Sequence, residues 1–210
     1  MTKTSAHTFV VLFFGILSIY PLSAQEAKKT DVWQPFKFFL GYWKGPSTGQ
    51  SGEGKVTRQY TRILSGKFIQ AENQTIYPPT EQNPEGEIHQ DWGIFSYDSG
   101  RKKFVLRQFH LEGFVNQYVL DSISKDGKYI SFVTEEIENI PAGWRAKEIY
   151  RVVSDDEFTE TFQLAEPGKD FQTYSENRLK RALRTNIGPI EKMKQLEAED
   201  KKLNRQKEDQ

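Results

Sequence analysis

The chain has 210 residues, with Lys plus Arg and Asp plus Glu balanced at 29 each. That balance leaves no electrostatic footprint for nucleic acid or an anionic membrane surface. The lack of cysteine excludes disulfides, thiolate metal sites and a lipidated cysteine together.

Lys3, the uncharged run Phe9 to Leu22 and the small pair Ser23-Ala24 have the anatomy of a secretory signal peptide cut before Gln25. The run is shorter than the ~20 residues a spanning helix needs. Residues 1–24 are therefore expected to be removed, with an uncleaved anchor as the alternative. The mature chain is then periplasmic or secreted, with no membrane attachment after cleavage.

From Asp31 to Arg181 the chain reads as strands separated by turn chemistry. A tryptophan between two glycines, Gly41-Tyr42-Trp43-Lys44-Gly45, opens the series. Val56 to Leu64 and Lys67 to Tyr77 follow, joined at Ser65-Gly66, and a polar loop leads to Ile88–Tyr97. Asp98-Ser99-Gly100-Arg101 turns the chain into Lys103–Leu111, and Glu112-Gly113 into Phe114–Ile123. Lys128–Glu136, Trp144–Val153, Phe158–Leu164 and Phe171–Arg178 complete the set. Gly after Asp, Ser or Pro supplies the positive φ that tight turns need. About ten strands at this spacing, joined by hairpin-length connections, predict an all-β antiparallel meander. Closure into a single barrel removes its edges. Beyond Arg181, residues 182–210 change character: Ile190, Met193 and Leu196 form a thin helical stripe in a charged tail.

Alternation assigns the interior face of the late strands. Trp144, Ala146, Glu148, Tyr150 and Val152 oppose a largely cationic set, and Phe158, Glu160, Phe162 and Leu164 oppose threonines and a glutamine. A turn at Pro167-Gly168 would set Phe162 opposite Thr173 and bring Thr173, Ser175 and Asn177 inside. An unpaired acid is costly to bury, so inward Glu148 and Glu160 imply a ligand cavity or an ion pair with Arg107 or Arg62. If Asp98 pairs with Arg101, His89 faces His110 and Asp91 faces Gln108. Two histidines and an aspartate are a possible metal or acid–base group, but a third histidine and any HExxH pattern are lacking, so no metal is expected. Phosphate loops and nucleophile elbows are missing, and no catalytic residue is assigned. Asn73-Gln74-Thr75 is a glycosylation sequon on a predicted strand.

The lead-in and G-x-W of Phe38–Gly45, together with the strand count, resemble the calycin superfamily of lipocalins and fatty-acid-binding proteins. Ile63–Ile69, Gly93–Asp98 and Ser154–Phe158 add a likeness to bacterial lipocalin-like proteins related to nitrobindins. The resemblance implies that Trp43 plugs one barrel end under a basic side chain, Arg178 or Arg181. Nitrobindins carry G-x-W-x-G-x-G, where this chain has Ser47, and hold haem through a late histidine. Here none follows His110. The expectation is therefore no cofactor, with haem only as an alternative.

The functional reading is an exported protein that binds a small apolar or amphipathic molecule inside a barrel. Its expected ligand-binding residues are Arg107, His110, Trp144, Glu148, Tyr150, Glu160, Phe162 and Thr173, with Trp92 and Phe95 as further rings. The alternatives are an enzyme pairing an inward carboxylate with His110, and an interaction protein whose partner docks on the C-terminal helix.

Overall fold

Ten strands form where the turn residues mark them. The structure is a computed structural model and describes residues 31–50, 52–81 and 83–183. The expected signal peptide and the helical stripe near Ile190 lie outside the described residues. The strands are β1 Gly41–Gly49, β2 Gly54–Ile63, β3 Phe68–Tyr77, β4 Glu87–Asp98, β5 Lys103–His110, β6 Val115–Ile123, β7 Tyr129–Glu138, β8 Arg145–Ser154, β9 Glu157–Ala165 and β10 Gln172–Ala182. Each pairs antiparallel with its sequence neighbours, and β10 returns to pair with β1. The result is the closed all-β meander that the hairpin-length connections imply, with no edge left to template aggregation. Among the described residues no helix is long and apolar enough to cross a membrane.

One barrel end is closed by aromatic packing. Pro35 starts a short 3-10 helix, Gln34–Phe39, whose Phe36 and Phe39 are buried. Phe36 packs 4.7 Å from Phe104 and Phe39 packs 5.1 Å from Phe158, both edge to face. Trp43 is fully buried beside them and donates from Nε1 to the Phe39 carbonyl at 2.7 Å.

Of the two arginines expected over Trp43, Arg181 takes the position. It pairs with Trp43 in the ladder, and its guanidinium carbon sits 4.1 Å from the ring centre. Its two terminal nitrogens donate to the carbonyls of Leu40 and Phe38 at 2.9 and 2.8 Å. Arg178 is three residues away, hence on the opposite face of β10, where it ion-pairs with Glu157. The flanking glycines have separate reasons. Gly41 has φ +119°, and a Cβ on Gly45 would lie 1.8 Å from the Arg178 carbonyl oxygen.

Two registers differ from the sequence expectation. Asp98 pairs with Lys103 rather than Arg101, because Asp98 Oδ1 accepts from the backbone N–H of Gly100 and Arg101 and organises a longer turn. Asp91 consequently opposes His110, and Gly93 opposes Gln108. The turn into β10 sets Gln172 opposite Leu164 and Thr173 opposite Gln163, and a bulge between Thr173 and Ser175 then sets Ser175 opposite Phe162.

Candidate functional site

The inward residues of the middle strands form two layers because a strand repeats every two residues. Tyr60, Leu106, Tyr118, Tyr150 and Phe158 make an apolar layer above the 3-10 helix. Two residues nearer the open end on the same strands stand Arg58, Gln108, Asn116, Glu148 and Glu160. Asp91 of β4 and Asn177 of β10 join this polar layer. It floors a cavity of about 440 Å³ that opens at the end opposite Trp43. The mouth is more apolar, with Phe114, Ile140, Trp144, Phe162, Leu164 and Tyr174 on its walls.

The floor is a charged network. Glu160 Oε2 accepts from Arg58 Nη2 at 2.7 Å and Nε at 3.1 Å, and from Asn177 Nδ2 at 2.8 Å. Arg58 and Glu160 are 7% and 2% exposed, so the pair is truly desolvated. Burial alone would lower the Arg58 pKa; Glu160 and then Asp91 outweigh it and hold the guanidinium above its ordinary value. Asn73 Nδ2 donates to Asp91 Oδ1. Asn73 is buried inside the barrel, so the sequon is not displayed at the surface.

Glu148 has no cation of its own. Burial, then the charge of Glu160, push its pKa well above the ordinary carboxyl value, with Arg58 opposing. Its Oε2 has no hydrogen-bond partner, and neither do the buried carboxamide oxygens of Gln108, Asn116 and Asn177. A buried acceptor without a donor costs about 1–3 kcal/mol. The residues that carry them line one cavity, so a molecule filling it can supply donors after a small rotation of Glu148, Gln108 or Asn177.

The raised Glu148 pKa has a sign. The folded state keeps this proton above pH 4.5, the ordinary value, where the unfolded chain loses it. Stability is therefore lost as pH rises from there. Glu148→Gln should remove that slope, so urea melts should show the variant gaining on wild type by about 1–3 kcal/mol toward pH 8. Parallel pH profiles would mean that Glu148 ionises freely.

His110 is largely buried, stacks on Phe114 at 4.1 Å and lies 3.2 Å through Nε2 from Asn116 Nδ2. Burial, then His89, hold its pKa at about 4. Among the described residues no hydrogen bond joins it to an inward carboxylate.

Of the expected site residues, the structure brings His110, Trp144, Glu148, Glu160 and Phe162 around the cavity. Three do not belong to its wall. Arg107 faces solvent because Leu106 and Gln108 hold the inward phase of β5. Thr173 is exposed because it pairs with Gln163 on the outward phase of β9, while Ser175, opposite Phe162 after the bulge, reaches the wall as expected, together with Tyr174. Tyr150 lies one layer deeper, its ring 5.5 Å from Phe39. Trp92 is 60% exposed on the outer face, and Phe95 is buried in the apolar layer. The sequence reading missed Arg58, the true partner of Glu160. Its signal was the inward alternation Val56, Arg58, Tyr60.

The late histidine on which the haem alternative depends is not found among the described residues. β6 to β10 contribute no histidine.

No protein-family model matches the sequence, and no curated protein matches it either. Among solved structures, the chain is similar to Rv2717c from M. tuberculosis, with 19% identity over 71% of this chain and 96% of that one and a TM-score of 0.56. It also aligns with a protein of unknown function from the DUF3598 family of Nostoc punctiforme, at 7% identity over 71% of this chain and 98% of that one. That second TM-score is 0.26, too low to bear on the fold. The first likeness bears on the barrel fold alone.

Proposed function

We propose that this chain is an exported calycin-type barrel that binds one small amphipathic molecule, donor-rich head down. The observation that carries the reading is the cavity floor, where buried acceptors around one open space lack protein donors. Five carboxylates, Glu87, Asp91, Glu112, Glu148 and Glu160, line the cavity against Arg58 alone. Arg58 is already committed to Glu160. An amine, amidine or polyhydroxylated head suits that floor, and an apolar body suits Phe114, Trp144 and Leu164. The volume lies in the range of about 300–1,000 Å³ usual for small-molecule sites. The signal-peptide pattern supports export.

Native mass spectrometry of the protein exported by its own host tests this reading. Wild type should carry a discrete excess mass that denaturation removes, and Ser175→Trp, whose ring obstructs the cavity, should carry far less of it. A bare-chain mass for wild type, or the same excess in both proteins, would count against it.

A further inference from the structure

The wall of the same cavity holds a second chemical group, distinct from the polar floor. His89 of β4, His110 at the end of β5 and Glu112 in the following turn each offer a ligand atom, and these atoms lie within 4.8 Å of one another. We propose that His89, His110 and Glu112 form a binding site for a divalent transition-metal ion such as Zn²⁺, with its open position facing the cavity. The site does not depend on the identity, or the existence, of the organic ligand.

The ligand set selects the metal. Two imidazoles and one carboxylate suit Zn²⁺, Co²⁺ or Ni²⁺, whereas Mg²⁺ and Ca²⁺ take oxygen ligands. Two His and one Glu leave a tetrahedral ion one position short, which suits exchangeable water or a ligand donor atom. Ligand atoms around such an ion lie about 3.3 Å apart, given metal–ligand distances near 2.0–2.1 Å. His89 Nδ1 and Glu112 Oε1 are already 2.7 Å apart. The remaining closure, of about 1.5 Å by the same geometry, falls on side chains able to move. The Glu112 side chain is about half exposed and that of His89 about a quarter.

The surroundings favour metal over a plain ion pair. His110 is held flat by Phe114, and its buried Nδ1 has no hydrogen-bond partner. On the other side of the ring, Asn116 bridges His110 Nε2 and the Tyr118 hydroxyl, while its own Oδ1 is unpartnered. Half a turn of this carboxamide places Oδ1 to accept from both Nε2–H and Tyr118 O–H. That arrangement fixes the tautomer with a free lone pair on Nδ1, the outer support that metal-bound histidines normally have. Asp91 Oδ2 stands 3.8 Å from His89 Nε2 and can support the other imidazole in the same way. Glu87, Asp91 and Glu112 also leave the mouth with excess negative charge that a dication neutralises.

Co²⁺ titration of the full chain, followed by visible d–d absorption and competed with Zn²⁺, tests the site. One equivalent should bind with four-coordinate absorption, and Zn²⁺ should displace it. His89→Gln and Glu112→Gln, both at solvent-accessible positions and checked for unchanged melting, should each weaken binding at least tenfold. Asn116→Ala should weaken it 10–100-fold through His110. His7→Gln controls for the remaining histidine of the sequence and should change nothing. Binding that survives both His89→Gln and Glu112→Gln, or no stoichiometric binding by wild type, would overturn the proposal. Either result leaves the organic-ligand reading standing, because that reading is measured by mass rather than by metal.

Discussion

Arg58→Met is expected to destabilise the barrel by about 3–5 kcal/mol in urea melts at neutral pH, the usual result of removing one member of a buried ion pair. Arg58 makes both strong contacts to Glu160 Oε2, leaving that oxygen only Asn177 when it is removed. Glu148 and Asp91 stand close enough to feel the same guanidinium. The variant would hold three carboxyl groups in one buried layer with no cation among them. Two further results follow from that cause. The penalty should shrink as pH falls, because a buried carboxyl group without a cation takes up a proton. Arg58→Met combined with Glu160→Leu should recover most of the loss, because a packed apolar pair avoids the desolvation penalty. A loss below ~1 kcal/mol for the single variant is what a solvated surface pair would give, and would place water around these groups.

The second large effect belongs to Trp43. Trp43→Ala should cost about 3–5 kcal/mol as a buried aromatic truncation. Trp43 packs edge to face on Phe158 at 4.8 Å, supports Phe38 at 5.2 Å and ties the 3-10 helix to β1 through the Phe39 carbonyl. Its loss also removes the ring beneath Arg181, a contact of about 0.5–2 kcal/mol. Arg181→Ala should cost less, since it leaves Trp43 packed, while Arg178→Ala, on the outer face, should fall within about 0.5 kcal/mol of wild type. Thermal and urea melts of the three variants should rank in that order. A larger loss at Arg178 than at Arg181 would reverse the assignment of the plug.

This ranking shows what the sequence made legible and what it did not. The number of strands and their meander order followed from alternation and from glycine-bearing turns, which are local properties. Closure followed from the cost of leaving an edge. The inward places of Glu148 and Glu160 were readable because cationic residues mark the opposite face of β8. Local patterning failed where a single residue changes the phase. The turn before β10 runs one residue longer than Pro167-Gly168 suggests, which moved Thr173 out, and a bulge without a glycine signature then kept Ser175 on the inner face. The Asp98 side chain captured two backbone amides and lengthened its turn, so His89 and His110 became diagonal neighbours, with ring centres 5.9 Å apart, rather than a facing pair. Arg58 was missed because choosing a partner for Glu160 needs the third dimension: β2 and β9 approach across the barrel, 102 residues apart in sequence.

The same layering explains why one barrel can be both stable and receptive. The aromatic layer and Trp43 supply apolar burial at the closed end, while the polar layer above remains incompletely satisfied by protein. A crystal structure of the protein purified from its own host tests that central claim most directly. The account predicts density for an organic molecule in the cavity, with donor atoms within hydrogen-bond distance of Glu148 and the carboxamides of Gln108 and Asn177. Ordered water alone, satisfying each of those oxygens, would contradict it and make the polar layer a hydrated structural network instead of a binding floor.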